Sequence, residues 1–144
     1  MYTSVNMRSA NAYRTVGVET SVAGADSHQL VSLLYQALLQ SCGAAKLSMQ
    51  SGDIPGKGKA IVRAVRPIEE GLKAGLNDEK GGALASNLRG LYDYCILVLT
   101  EANLRNDIAK IDEVVRLIQP VAQAWIDIKA EVANLPQYSM RAGA

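Results

Sequence analysis

Along most of this chain apolar residues recur at three- and four-residue intervals, with no strand pattern of any length, a property that argues against a fold built on a sheet. Four stretches carry the pattern. In the third, residues 76–107, Leu84, Leu88, Leu91, Cys95, Leu99 and Ala102 share one helical face between a polar turn with Gly81-Gly82 and a second polar turn ending at Asp107. Within it Tyr94, Cys95, Ile96, Leu97, Val98 and Leu99 form six consecutive apolar residues. At about 100° per residue Ile96 falls past the edge of that stripe and Leu97 opposite its centre, so this helix has apolar surface on sides that a single core does not cover.

The other stretches give the remaining helices. Asp26 and Gln29 form a capping box that starts the first, which runs to about Gln50. Its main stripe is Leu30, Leu33, Leu34, Ala37, Leu38, Ser41, Ala44 and Ala45, with Val31, Tyr35, Cys42 and Met49 on a flank. After Ser51-Gly52-Asp53 and a turn over residues 55–58, the second helix spans residues 57–75, with Ile61, Val65, Ile68, Leu72 and Leu76 in a narrow seam. Pro67 removes a backbone donor inside it, which predicts a kink over residues 63–67. Gly71 and Gly75 weaken this helix and allow close approach of a neighbour.

The third helix covers residues 82–102. The fourth starts with Asn106 as its N-cap, carries Ile108, Ile111, Val114, Val115, Ile118, Val121, Ala122, Trp125, Ile128 and Val132, and stops at Leu135-Pro136. Pro120 predicts a bend about halfway along it. Four such helices joined by short loops predict an all-α fold, an antiparallel up-down-up-down four-helix bundle over residues 26–135. Residues 136–144 read as a flexible tail. Residues 1–25 read as an N-terminal arm whose scattered apolar residues, Tyr13 and Val22 among them, suit a strap laid over apolar surface.

Composition and motifs narrow the function. Fifteen basic and fourteen acidic residues leave a net charge of +1, too little basic excess to neutralise a row of phosphates, so nucleic acid is not the expected partner. No run approaches the roughly 18 apolar residues of a membrane span, and the N-terminus lacks a basic segment followed by an apolar one. Cys42 and Cys95 read as small buried hydrophobes of a reducing compartment, so a cytoplasmic protein without membrane insertion is expected.

His28 is the only histidine and no Cys-x-x-Cys or Glu-x-x-His pair exists, so neither metal nor cofactor is expected. The stretch Gly52 to Gly58 has one residue too few, and Gly58 in place of Ser or Thr, for a phosphate-binding loop. Lys57, Lys59, Arg63 and Arg66 read as a solvated helix face, and Asp78 and Glu79 as first-turn residues near a helix N-terminus. No nucleophile, base and orienting group can be assembled, which argues against an enzyme. What remains is apolar surface in excess of one core. Tyr35, Tyr92, Ile96 and Leu97 are the candidate residues for binding a partner segment, with ordinary core as the alternative. A groove between helices that receives an amphipathic segment is one use for such surface; a scaffolding bundle that self-associates through its apolar faces is another.

The residues around the third helix also carry a resemblance. Leu76-Asn77-Asp78-Glu79-Lys80-Gly81-Gly82, Ala85-Ser86-Asn87-Leu88, Leu91-Tyr92-Asp93-Tyr94, Ala102-Asn103-Leu104 and Asn106-Asp107 closely resemble the flagellar secretion chaperone family, FliS. The stretch from Val22 to Leu30 stands where the family carries Val-x-Thr-Ala-Ser-Pro-His-x-Leu, and Leu33-Leu34-Tyr35 is similar to its Met-Leu-Tyr. Asp112-Glu113-Val114 and Trp125 resemble its fourth helix. The similarity covers roughly residues 13–128; Gly24, Ser27, Gln36-Ala37 and Pro120 depart from it.

The resemblance implies a cytoplasmic export chaperone that binds the disordered C-terminal segment of flagellin, prevents premature polymerisation and delivers it to the flagellar type III export apparatus. It implies that the client folds as helices on the bundle surface and displaces the N-terminal strap; the apolar surplus makes Tyr35, Tyr92, Ile96 and Leu97 the expected client surface, with Tyr13 and Val22 as the expected strap. The resemblance also implies, as further partners, the cytoplasmic domain of the export gate and the flagellar anti-sigma factor.

Overall fold

The computed structural model describes residues 26–133, with side chains as far as Ile128. The expected strap with Tyr13 and Val22, the helix stop at Leu135-Pro136 and the tail 136–144 lie outside the described residues. Helix α1 is Ser27–Ser51 and α2 is Ile54–Arg66, which runs into a wide π turn, Pro67–Leu72. Helices α3, Asp78–Arg105, and α4, Ile108–Ala133, follow. No strand occurs among the described residues. Helices α1 and α3 each pack beside α2 and α4 and face one another across the diagonal, giving the expected all-α four-helix bundle.

The capping box forms as the sequence predicts: the Asp26 carboxylate accepts from the Gln29 backbone N–H at 2.7 Å and the Gln29 side chain accepts from the Asp26 N–H at 3.2 Å. The core seam of α1 is not the predicted centre line. Tyr35, Leu38, Cys42, Ala45 and Met49 are buried, whereas Ala44 is exposed and Leu33, Ala37 and Ser41 are half-buried. Leu30 and Leu34 of the predicted stripe are buried as well, and from Tyr35 onward the buried residues step alternately by three and four, the spacing by which one helix meshes with neighbours on both sides.

Helix α2 starts earlier than the proline and glycines suggest. Asp53 accepts from the Gly56 N–H at 3.0 Å, and Pro55 sits in the first turn, where a missing N–H costs nothing. Lys57 is not on the solvated face with Lys59, Arg63 and Arg66. It is buried, and its Nζ donates to the Asn103 carbonyl at 3.0 Å, satisfying the C-terminal end of α3. At Pro67, next to the stretch where a kink is expected, the hydrogen-bond register widens, and the Lys73 N–H reaches the Ile68 carbonyl at 2.8 Å. A π turn spreads the loss of one donor over several residues.

Helix α3 opens with one turn capped by Asn77, whose side chain accepts from the Lys80 N–H at 3.0 Å, and then breaks at Gly82, where φ is 52° and ψ −128°. Only glycine holds that conformation without strain. Gly81 beside it is needed for space: a Cβ there would stand 2.6 Å from the Ala85 Cβ. Asn106 is not the N-cap of α4. It closes α3 in the left-handed region, φ 54°, and Asp107 takes over the capping, accepting from the Ala109 N–H at 3.0 Å.

Helix α4 passes through Pro120 as one element, with the proline on the exposed side. There water can serve the carbonyl that the ring leaves unpaired. Lys46 to Asp112, 2.9 Å, and Lys57 to Asn103 hold α1 to α4 and α2 to α3 at one end of the bundle. The other end is built differently.

Candidate functional site: an apolar mouth at one end of the bundle

The start of α1, the segment after the π turn, the start of α3 and the last turns of α4 all lie at the end opposite Lys57, by the up-down order of the helices. There they part around a cleft of about 500 Å³, within the roughly 300–1,000 Å³ typical of binding pockets. Val31 and Tyr35 form the α1 wall, and Gly71, Leu72, Gly75 and Leu76 the next. Leu84, Ala85, Leu88 and Tyr92 come from α3, and Val121, Ala124, Trp125 and Ile128 from α4. The polar lining groups are few: Ser27, Asn77 and Lys80.

Helix α3 shows why the cleft is apolar. Its main apolar face runs its whole length; Cys95, Leu99 and Ala102 are covered by the other helices, whereas Leu88 is half-buried and Leu84 is 66% exposed. The predicted stripe is thus core in one half and cleft wall in the other. Leu84 is therefore not a core residue. The break at Gly82 and the small surfaces of Gly71 and Gly75 keep bulk away from the mouth.

Of the four candidate client residues, the structure brings two together. Tyr35 and Tyr92 meet across the α1–α3 diagonal with their hydroxyl oxygens 2.6 Å apart, and both line the cleft while being almost wholly buried. Burial pushes the pKa of Tyr35 up, offset in part by the bond from Tyr92. Burial likewise raises that of Tyr92, and the neighbouring Tyr35 adds to the effect. Both hydroxyls therefore stay protonated through the physiological range.

Ile96 and Leu97 are elsewhere. Ile96 is half-buried against the core, and Leu97 is 54% exposed, about 170° round the helix from the middle of the cleft-facing side at 100° per residue. Tyr94 on that outer side donates to the Glu113 carboxylate.

The sequence places Trp125 in the α4 stripe and gives the lone His28 no metal site, but does not show that the two form one unit beside the cleft. The Trp125 indole Nε1 donates to the His28 carbonyl at 2.9 Å, and the two rings stack with centroids 4.7 Å apart and planes 8° from parallel. His28 Nε2 stands 2.6 Å from the Trp125 carbonyl, which can only accept, so that nitrogen carries the proton. Buried Nδ1 has no hydrogen-bond partner among the described residues. The signal available in the sequence was the pairing of a lone Trp and a lone His at the ends of helices that share one bundle end.

Among the described residues no group of three or more His, Cys, Asp or Glu is placed to hold a metal ion, and no helix is long and apolar enough to cross a membrane. Cys42 and Cys95 are free and buried, as expected.

The family described as flagellar protein FliS matches residues 9–132 of this chain. The chain is 42% identical to the flagellar secretion chaperone FliS of Salmonella typhimurium over 92% of its own length and 96% of that protein. It is 40% identical to flagellar secretion chaperone FliSB of Pseudomonas aeruginosa, over 83% and 94% of the two lengths. The FliS of Bacillus subtilis is more distant, 27% identical over 79% and 80%. An apolar mouth in a helical bundle fits a binding protein, and the extent of these matches settles which kind: the chain belongs to the FliS family of flagellar secretion chaperones, which are not enzymes.

Proposed function

We propose that this protein binds the disordered C-terminal segment of flagellin in the cytosol, keeps it from polymerising, and hands it to the flagellar type III export apparatus. The observation that carries the reading is the open apolar mouth, a bundle end where Leu84 and Leu88 are left uncovered by the other described helices while Tyr92 lies buried at its floor. An amphipathic helix folding into that mouth would bury the surface that makes free flagellin subunits associate.

Magnitudes set the extent of the contact. Micromolar affinity corresponds to about −8 kcal/mol. Folding a disordered client adds a cost of roughly 2–5 kcal/mol and typically buries on the order of 1,000–3,000 Å². One bundle end is small for that. The client therefore extends from the cleft over the outer face of α3, where Leu97 and the edge of Ile96 offer further apolar contact. Tyr35 and Tyr92 act as the cleft floor, and Ile96 and Leu97 as the outer contact.

Ser27 lines the cleft and α1 begins there, so the segment before Ala25 joins the bundle at the mouth. We assign Tyr13 and Val22 to a strap that occupies the empty cleft and yields to the client. The loaded complex is then what the cytoplasmic domain of the export gate recognises, and the anti-sigma factor of the flagellar regulon is a second partner.

Calorimetry with a synthetic flagellin C-terminal peptide tests the reading: saturable one-to-one binding is expected, and its absence would overturn it. Deleting residues 1–24 tests the strap, since a competing strap makes the peptide bind more tightly once removed; unchanged affinity excludes that role.

A further inference from the structure

Two phenol hydroxyls carry two protons, and the bond between Tyr35 and Tyr92 uses one of them. Their oxygens are 2.6 Å apart, and among the described residues neither hydroxyl meets any other hydrogen-bonding group. One O–H is left without an acceptor among the described residues. A buried donor left unmade costs about 1–3 kcal/mol. In the empty cleft a water can take that hydrogen, but an occupant that expels the water has to supply its own acceptor.

The lining narrows what that acceptor is. Except in its last turn, the backbone carbonyls of a seated helix are already used within it. A carboxylate would enter a cleft whose one lining cation, Lys80, is an exposed residue of the first turn of α3. Without a partner at the floor a buried carboxylate keeps most of its desolvation cost. A side-chain amide or hydroxyl oxygen has neither problem.

We propose that the Tyr35–Tyr92 pair is the polar specificity determinant of the cleft: it selects a client helix carrying a neutral acceptor, an Asn or Gln amide or a Ser or Thr hydroxyl oxygen, on its otherwise apolar buried face. This rests on the client assignment above. The pair discriminates by the penalty it imposes, because a helix apolar throughout leaves the floor donor unpaired. Either tyrosine can donate to the other, so either can present the spare hydrogen.

The test uses the full chain as wild type, Tyr35→Phe, Tyr92→Phe and the double variant, titrated calorimetrically with the flagellin C-terminal peptide. Removing both hydroxyls together leaves no unpaired partner and preserves shape, so the double variant is expected to keep its fold. Each single variant retains one hydroxyl for the client and is expected to bind within about threefold of wild type, the double variant about tenfold more weakly.

Peptides in which each Asn, Gln, Ser and Thr is replaced in turn by an apolar residue of similar size complete a double-mutant cycle. One replacement is expected to weaken binding to wild type about tenfold and to leave binding to the double variant unchanged. A double variant that binds as tightly as wild type overturns the proposal, as does a peptide series without coupling to the pair. A double variant that fails to fold also overturns it, since the pair is then structural. Failure of the wild type to bind any of the peptides overturns the client assignment itself.

Discussion

Asp78 and Arg89 lie eleven residues apart within α3, yet both Asp78 carboxylate oxygens are 3.1 Å from one Arg89 nitrogen. In a straight helix that separation is about 16 Å along the axis, beyond the reach of the two side chains. The pair closes because the chain turns at Gly82 and lays the first turn of α3 back along the helix. That turn, capped by Asn77 and carrying Lys80, forms part of the cleft rim.

Substituting Gly82 by Ala should therefore cost about 1–3 kcal/mol, the strain of holding a Cβ at a positive φ. Gly81→Ala should also destabilise, because its new Cβ would press on that of Ala85. Gly90 supplies the control. It lies in the regular part of the same helix with open space around its Cβ position, so Gly90→Ala should gain about 0.5–1 kcal/mol in helix propensity. Urea unfolding of the three variants checks the order; equal effects would mean that the break at Gly82 is not required.

Trp125 is the only tryptophan, and it stands at the cleft stacked on His28. Its fluorescence is therefore a direct report on the mouth. Client binding should shift its emission to shorter wavelength as water leaves the cleft. His28→Ala removes the ring stack and the bond to the Trp125 carbonyl while leaving the indole bond to the backbone. The expected loss of stability is about 1–3 kcal/mol, with a change in emission of the free protein. An emission spectrum indifferent both to client and to His28→Ala would place Trp125 outside the site.

How much of this was legible follows from what periodicity measures. The interval of three and four residues reported which side of α3 is apolar, and so gave the bundle. It carries no information on whether another helix lies over that side. Leu84 and Leu99 are equivalent in pattern, yet one is a wall of the mouth and the other is core. The Tyr35, Cys42 and Met49 flank of α1 was misplaced for a related reason: a helix with two neighbours buries the line between them, which need not be the line of largest residues. Lys57 and Asn106 were misread because a buried lysine and a left-handed asparagine are set by the end of α3, far away in the chain or on the other side of the turn. The capping box at Asp26, by contrast, involves residues three apart and was fully readable.

Burial pushes the thiol of Cys42 up to about 12 and that of Cys95 up to about 11, with each also raised by a neighbouring acidic group, Cys95 in the first case and Glu113 in the second. Neither should react with iodoacetamide at pH 8 in the folded protein, and both should react after unfolding. The linkage has a definite sign. A thiol whose proton is held more tightly in the folded state stabilises fully below its ordinary value near 9, and that contribution is lost as pH rises towards 11 and 12. Stability measured across pH 8 to 12 should therefore fall, and Cys42→Ala with Cys95→Ala should flatten the fall. A slope identical in the double variant would assign the alkaline loss to the tyrosines and to Lys73, whose bond to Asp93 also holds its proton more tightly in the fold.

Leu84 and Leu97 separate the two parts of the proposed client surface. Both are more than half exposed, so Leu84→Asp and Leu97→Asp should each change stability by no more than about 0.5 kcal/mol. Ile96→Asp, half-buried against the core, should cost more and is the poorer probe. In calorimetry with the flagellin peptide, Leu84→Asp should weaken binding at least about tenfold, because a carboxylate in the cleft wall must be desolvated when the client seats. Undiminished affinity there would remove the mouth from the site. Leu97→Asp reads the outer face independently, and a further loss of about tenfold is the result expected if the client continues round α3. The two effects should add, since the residues lie on opposite sides of the helix and share no neighbour through which to couple. Loss in Leu84→Asp with full affinity in Leu97→Asp would confine the client to the bundle end, and the free energy of folding it would then have to come from the cleft alone.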